Sequence, residues 1–382
     1  MFVVRLSQAR REDVEGVESR IERCGTLVRS VALGQDDFIL FQSDEDVVSL
    51  EGDIGSLPGV VAFDLIETPY VLSARACRPE RTTLRFDGDL VLGSEEFVVM
   101  AGPCTVETET QVRTIARSVA ASGARVLRGG AFKPRTSPFS FQGRGVEGLQ
   151  ILRNAGKQER LLQVSEALSG DEVPDVVEAV DILQIGMRNA LNYPLLDSIG
   201  RHPLRPPVLL KRGIGSTLEE FLAAADYILA GGNPNVMLCL RGTVDFSRHS
   251  RASLNVADIP ALRRMTHLPI LVDPSHAAGH RELVPAMSAA ALVAGADGLL
   301  VEVHHEPDLA WVDGPQSLTL RGFDDLMIRL RALAPAMGRW VYQVQVGERH
   351  DAHPMEDLGL ERPAKADDIG TRAGEDHEEL QA

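Results

Sequence analysis

Between about residues 80 and 340 the chain repeats one rhythm, a short apolar run followed by a helical stretch. The runs are "EFVVMAGPC", "ARVLRGGA", "LLQVSEA", "DILQIG", "PVLLKRG", "NVMLCLRG", "LPILVDPSH" and "GLLVEVHHEP". They recur every 20 to 35 residues or so, are too short for buried helices, and end in Gly, Pro or charged residues. The stretches between them carry helix signals, as in "STLEEFLAAADYILAGG", where Ser216 is read as the cap and glycines end the helix. Eight β-α repeats over some 250 residues predict an α/β chain whose main body is a (β/α)8 barrel. A doubly wound open sheet is the alternative, but no dinucleotide-binding glycine fingerprint follows the first strand.

A different order precedes the barrel. Residues 1–73 read β-α-β-β-α-β: "MFVVRL", a helix with Val14, Val17 and Ile21 on one face, "LVRSVAL", "DDFILFQS", a short helix in "VVSLEGDIGSL", and "VVAFDLIE". That order predicts a small α+β, ferredoxin-like domain. It carries no catalytic constellation, so its expected role is regulatory or oligomerising. A hairpin, "TTLRFDGDLVLG", leads into the barrel, expected over residues 80–342. From 345 to 382 eleven Asp or Glu face four Lys or Arg without hydrophobic periodicity, which predicts a disordered acidic tail.

Composition excludes several classes of function. A net charge of −16 argues against nucleic acid as partner. The apolar stretch "LVPAMSAAALVAGA" is too short to span a bilayer, and "MFVVRLSQARRED" is not a signal peptide. Cys24, Cys77, Cys104 and Cys239 are scattered, with no paired spacing, and suit free thiols of a cytoplasmic protein.

In a barrel of this kind the chemistry gathers at the C-terminal ends of the strands. The runs here end, in order, at Cys104; at Arg128, with Lys133 and Arg135 beyond; at Glu166; and at Arg188. The later runs end at Lys211 and Arg212; at Arg241; at Asp273 and His276; and at Glu302, His304 and His305, with Asp313 in the next loop. Arg128, Lys133, Arg135, Arg188, Lys211 and Arg241 would repel one another on a shared rim, which predicts bound phosphate and a second anionic group. Cys104, His276, Glu302 and Asp313 offer sulfur, nitrogen and oxygen, a donor mix that suits Mn, Fe, Co or Zn better than Mg. A metal beside a phosphate pocket fits activation of an aldehyde for carbon–carbon bond formation. It fits hydrolysis or isomerisation of a sugar phosphate equally well.

One stretch sharpens the phosphate reading. From Thr110 to Val146 there is no Asp or Glu, while Arg113, Arg117, Arg125, Arg128, Lys133, Arg135 and Arg144 all fall inside. Arg113 and Arg117, four apart, are read as a solvated helix face. "RGGAFKPRTSPFSFQGRG" is read as a ligand loop, in which Pro134 holds Lys133 and Arg135 extended and on the same side.

The motifs "AGPCTVE", "LRGGAFKPRTSPFSFQG", "LQIGMRN", "PVLLKRG", "LPILVDPSHAAGHR" and "GLLVEVHHEPDLAWVDGPQSL" together resemble the 3-deoxy-7-phosphoheptulonate (DAHP) synthases. The likeness is to the type I, beta-type branch, which has a ferredoxin-like domain ahead of the barrel. It is dense over residues 97–318 and weaker over the first 73. The resemblance implies a transferase joining phosphoenolpyruvate to erythrose 4-phosphate, the first step of the shikimate pathway to the aromatic amino acids. It implies one divalent metal on Cys104, His276, Glu302 and Asp313, and phosphoenolpyruvate on Arg128, Lys133, Arg188, Lys211 and Arg241. Arg135, Thr136 and Ser137 would meet erythrose 4-phosphate. Lys133, Cys104, His276 and Asp313 would be catalytic, His304 would contact substrate, and Arg212, Glu166 and Asp273 would orient the others. An aromatic amino acid effector and a dimer or tetramer are implied as well. One departure stands out: beta-type members usually read "CERG" at the sixth strand, and this chain reads "CLRG", with Leu240 in place of the acid. The rival readings are an octulosonate 8-phosphate synthase, whose loop usually has Asn where Pro134 stands, a relative using another aldehyde, and a silent phosphoenolpyruvate sensor.

Overall fold

The computed structural model describes residues 1–246 and 249–344; the acidic segment expected to be disordered lies outside them. The chain begins with β1 (Phe2–Ser7), α1 (Arg11–Cys24), β2 (Thr26–Leu33), β3 (Asp36–Gln42), α2 (Val47–Ile54) and β4 (Val60–Leu65). These strands pair antiparallel in the order β2-β3-β1-β4, the ferredoxin-like arrangement. Alternation decides which face goes where. Phe2, Val4, Leu6, Ile39 and Phe41 meet Val17 and Ile21 of α1 and Leu50 and Ile54 of α2. Val3, Phe38 and Leu40 point the other way, into the core shared with Ile66, Tyr70, Leu72 and the barrel. Two buried faces on one thin sheet mean that this unit leans on the barrel for part of its burial.

A hairpin of β5 (Leu84–Arg85) and β6 (Val91–Leu92) follows. The barrel then runs β7 (Val98–Gly102), α3 (Glu109–Ala121), β8 (Val126–Arg128), α4 (Gly145–Gln158), β9 (Leu162–Glu166), α5 (Val173–Ala179), β10 (Ile182–Ile185) and α6 (Tyr193–Gly200). It continues β11 (Val208–Lys211), α7 (Leu218–Ala230), β12 (Val236–Leu240), α8 (Asp258–Met265), β13 (Ile270–Val272), α9 (Pro274–Ala278), α10 (Val284–Val293), β14 (Gly298–Glu302) and α11 (Leu320–Leu333). Strands β7 to β14 are parallel, pair in sequence order and close on themselves through β14 and β7. The chain is a (β/α)8 barrel with a ferredoxin-like unit in front. At α7 the cap is Thr217, not Ser216: the Thr217 hydroxyl accepts from Glu220 N and the Glu220 carboxylate accepts from Thr217 N.

The inside of the barrel explains where the chemistry sits. Val98, Met100, Val126, Val164, Ile182, Leu209, Met237, Cys239, Leu271 and Leu300 fill the lumen, and Leu84, Leu90 and Leu92 of the hairpin plug its N-terminal end. Residues two further along a strand share that inward phase. They are Arg128, Glu166, Gln184, Lys211, Arg241, Asp273 and Glu302. Seven of the eight strands thus turn from apolar to polar at the next inward position, above an apolar floor, while β7 reaches Gly102 there.

Candidate active site and metal centre

The short helix α9 organises the imidazole. Asp273, its cap, accepts from the His276 backbone N at 2.9 Å and from the His276 ring Nδ1 at 2.7 Å. The Nε2 atom is left facing Glu302 Oε1 at 3.5 Å and Asp313 Oδ2 at 4.0 Å. A ring held by a carboxylate behind and free in front is the arrangement of a metal-ligating histidine. Cys104, just beyond β7, places its thiol 3.3 Å from Asp313 Oδ2. One atom each of Cys104, His276, Glu302 and Asp313 lie within 4.8 Å of one another, making a possible metal site. The spacing suits the donor set. Ligands about 2.0–2.3 Å from a tetrahedral ion stand roughly 3.3–3.8 Å apart, the separation of the closer pairs here.

The charges around these groups are arranged to keep the acids ionised. Burial works to raise the Glu302 pKa, but His276, Arg128 and Lys133 outweigh it and hold it near 2. Burial likewise opposes ionisation of Asp273, and His276 with Lys211 holds it well below the carboxylate range. Burial, helped by Lys211, lowers His276 against the pull of Asp273 and Glu302, which favours the neutral, ligating imidazole. The Cys104 thiol is pushed up by burial and by Glu302, against the pull of Lys133, whose Nζ donates to its sulfur at 3.1 Å. Lys133 itself loses to burial but gains more from Cys104 and Glu302, so its ammonium keeps the proton.

Above this centre lies a cavity of about 300 Å³. Lys133, Arg135, Thr136, Ser137, Glu166, Arg188, Lys211, Arg241, His276 and Asp313 all line it. Five of the six expected cations therefore line one cavity, Arg128 does not, and they are not equally free. Arg128 is tied to Glu302 at 2.7 Å and Lys211 to Asp273 at 2.5 Å, so local acids, not a ligand, neutralise two of the six. For that pair the expected repulsion is relieved by acids of the same rim and needs no bound anion. Arg241 is different. It is buried, its Nη2 donates to His276 O at 3.3 Å, and its Nη1 has no partner. Leu240 beside it supplies no carboxylate. Gly186 opens the opposite side: a Cβ there would fall 1.9 Å from Glu166 Oε1.

Comparison with known proteins matches this chain over residues 78–336 to the model of the DAHP synthetase I family. The phospho-2-dehydro-3-deoxyheptonate aldolase of Thermotoga maritima is 41% identical over 338 residues, which is 88% of this chain and 99% of that one. The chain belongs to the DAHP synthetase I family. The crystal structure of the Thermotoga maritima enzyme, a DAHP synthase, superposes with a TM-score of 0.71 at 40% identity, covering 89% of this chain and 99% of that one. A truncated form of the same enzyme gives 0.66 at 42% identity and spans 72% of this chain and 99% of its own. A 2-dehydro-3-deoxyphosphooctonate aldolase of Geobacter metallireducens is 33% identical over 267 residues, 63% of this chain and 92% of that one.

Within this family member two expected residues stand away from the cavity. Arg212 points outward, donating to Ser216 O and pairing with Asp258 at 2.6 Å. Adjacent strand residues face opposite sides, and Lys211 holds the inward one. His304 does not line the cavity: it is buried against His305, ring to ring at 4.6 Å, and accepts from Glu306 N. Two residues without an assigned role belong to the site. Arg251, from the loop after β12, lines the cavity and donates to Asp313 Oδ1 at 3.0 Å. Gln316, inside the quoted "DGPQSL" motif, donates to Glu302 Oε2 at 2.7 Å. The motif flagged Gln316, whereas nothing in the sequence around Arg251 marked it.

Proposed function

We propose that the chain condenses phosphoenolpyruvate with erythrose 4-phosphate and water to give 3-deoxy-D-arabino-heptulosonate 7-phosphate and inorganic phosphate. The methylene carbon of phosphoenolpyruvate bonds to the aldehyde carbon, water adds its oxygen to the carbon that bears the phosphate, and the C–O bond there breaks to release inorganic phosphate. The observation that carries this reading is one cavity with a four-donor centre at its base, several cations on its walls and a buried Arg241 Nη1 that has no partner among the described residues. Arg188, Lys211 and Arg241, with Arg128 beneath, would hold the phosphate and carboxylate of phosphoenolpyruvate. Arg135, Thr136 and Ser137, farther out, would read the phosphate of erythrose 4-phosphate with a guanidinium fork and hydroxyl donors.

Cys104, His276, Glu302 and Asp313 would hold one divalent ion of Mn, Fe, Co or Zn, which would polarise the aldehyde oxygen. Lys133 keeps its proton and sits where it can donate a hydrogen bond to that oxygen as charge develops. Asp273 holds the His276 ring so that Nε2, not Nδ1, faces the centre. Steady-state turnover with both phosphates, before and after stripping metal with a chelator, tests the proposal; undiminished turnover in metal-free protein would overturn its metal half. The octulosonate alternative is disfavoured by lower identity over less of the chain. It predicts turnover of arabinose 5-phosphate in place of erythrose 4-phosphate.

Residues 1–73 are proposed as a regulatory or oligomerising domain, 80–342 as the catalytic barrel, and the homo-oligomer as a cytoplasmic dimer or tetramer. Among the described residues no helix is long and apolar enough to cross a membrane. The crystallised truncated relative supports testing deletion of residues 1–73. Deletion should leave turnover and abolish any inhibition by an aromatic amino acid. An intact protein that responds to none of these amino acids would leave only the oligomerising role.

A further inference from the structure

A single guanidinium nitrogen connects both carboxylates of the proposed metal centre. Arg251 Nη1 donates to Asp313 Oδ1 at 3.0 Å and to Gln316 Oε1 at 2.8 Å. Gln316, itself buried, passes the constraint on by donating from Nε2 to Glu302 Oε2 at 2.7 Å. Each carboxylate thus has one oxygen fixed from outside. The other oxygen of Asp313 faces the Cys104 thiol, and the other oxygen of Glu302 faces His276 Nε2.

The backbone of Arg251 is attached to the third supporting element. Arg251 N donates to Ala278 O at 3.0 Å and Ala252 N to Ala277 O at 2.9 Å, so the loop is stapled to the end of α9, the helix that carries His276. The approach is close enough to need a glycine. Gly279 ends α9 at φ +73°, and a Cβ there would stand 2.6 Å from Arg251 Cβ. Asp313 itself sits at φ +55°, a left-handed conformation uncommon for a residue with a side chain. The Arg251–Asp313 pair is itself partly exposed and adds little stability of its own, so its consequence is where it holds the Asp313 oxygens.

We propose that Arg251 is a positioning residue of the metal centre: it fixes the outer oxygen of Asp313 directly and that of Glu302 through Gln316, so each carboxylate offers its other oxygen. The inference rests on the metal-centre reading above. Without Arg251, Asp313 can rotate and chelate through two oxygens, which raises the coordination number, while Glu302, still held by Arg128 and Gln316, loses only the brace behind Gln316. Outer partners of metal ligands are commonly worth about 10–100-fold in affinity.

The experiment uses Co(II) as probe in the full chain, read by its visible absorption bands and by competition with a chromophoric chelator. Arg251→Met should weaken Co(II) binding by about 10-fold or more and lower the intensity of the ligand-field bands, as expected for higher coordination. Arg251→Lys, which keeps one donor, should recover part of both. Gln316→Leu, which leaves Arg251 on Asp313, should reproduce only the Glu302 part of the Arg251→Met effect, and the double variant should fall short of the sum of the two because they share that arm. Wild-type spectrum and affinity in Arg251→Met would overturn the inference alone. A wild-type chain that binds no Co(II) would overturn the metal centre and this inference with it. Should Arg251→Met not fold, Gln316→Leu carries the same two readouts.

Discussion

The two ends of the barrel use the same residue types for opposite ends. At the N-terminal end, Asp297, fully buried just before β14, receives Arg81, Arg263 and Arg339, the last two at 2.8 and 2.9 Å, and the Ile270 backbone N at 2.8 Å. Arg263 and Arg339 spend further donors on Gly295, Ser94 and Ala296 carbonyls. Burial opposes the Asp297 charge, yet Arg263 and Arg81 hold its pKa below the usual range. The network is closed, and it ties the connector, α8, β14 and the segment after α11 together. At the C-terminal end Arg241 Nη1 is buried without a partner among the described residues, and Arg135 and Arg188 line a cavity. A closed charge network is architecture, and one left open at a cavity is a binding site. The rule that barrel chemistry lies at the C-terminal face has this physical form here.

The comparison can be broken first at the metal centre. Cys104→Ala should remove the bound metal and lower turnover on the order of a thousandfold or more, a loss of several kcal/mol in transition-state stabilisation. Thermal unfolding and circular dichroism of the metal-free forms should match, since the thiol pairs with no structural partner beyond Lys133 and Asp313. Full turnover in a metal-stripped variant would remove the centre from the mechanism. At the other end the signature should invert. Asp297→Ala leaves three buried or half-buried arginines facing one another and should cost about 3 kcal/mol or more in urea unfolding. The molecules that remain folded should keep the wild-type kcat/KM. A collapse of kcat/KM without loss of stability would erase the distinction between the two ends.

Much of this contrast was legible in the sequence, because strand ends can be read from run lengths. Three of the four metal-capable residues stand at run ends, and Asp313 stands in the loop after the eighth. What the runs could not give was pairing between residues remote in sequence: Arg128 meets Glu302 across 174 residues and Lys211 meets Asp273 across 62. Both pairs look like free cations until the barrel closes. The choice between Lys211 and Arg212 was readable from strand phase, since Leu209 and Lys211 share the inward side. Arg251 was not, because it lies in a loop with no periodicity and acquires its role only through α9. His304 fails for a related reason: beyond the end of β14 the strand phase no longer governs where a side chain points.

Inside the cavity the comparison sharpens into one between depths. Lys133 is buried beside Cys104, while Arg135 is half-buried farther along the same extended loop. Arg135→Ala should raise KM for erythrose 4-phosphate far more than KM for phosphoenolpyruvate. A lost charge-assisted contact costs on the order of 2 kcal/mol, at least about tenfold in kcat/KM. Lys133→Ala should instead lower kcat and impair phosphoenolpyruvate use, because its charge acts at the reacting centre. Varying each substrate separately in both variants decides this; identical signatures would dissolve the division of labour.

The smallest effect concerns the one unsettled group near the closed end. Glu96, buried just before β7, has a carboxylate oxygen with no hydrogen bond, although Arg125 Nε stands 3.4 Å away. Burial raises its pKa to about 7, against the pull of Arg125. A carboxyl whose pKa is higher folded than unfolded binds more protons in the native state, so its contribution favours folding at low pH. That contribution is fully present below the unfolded value of about 4.3 and is lost as pH rises through about 7. Between pH 5 and 8 the melting temperature should therefore fall with rising pH, by an amount equivalent to about 1 kcal/mol once screening by water is allowed for. Glu96→Gln keeps the shape, removes the titration and should flatten that slope while leaving the kcat/KM profile unchanged. An unaltered slope would mean that the glutamate is paired when ionised, and the N-terminal end would then be closed without exception.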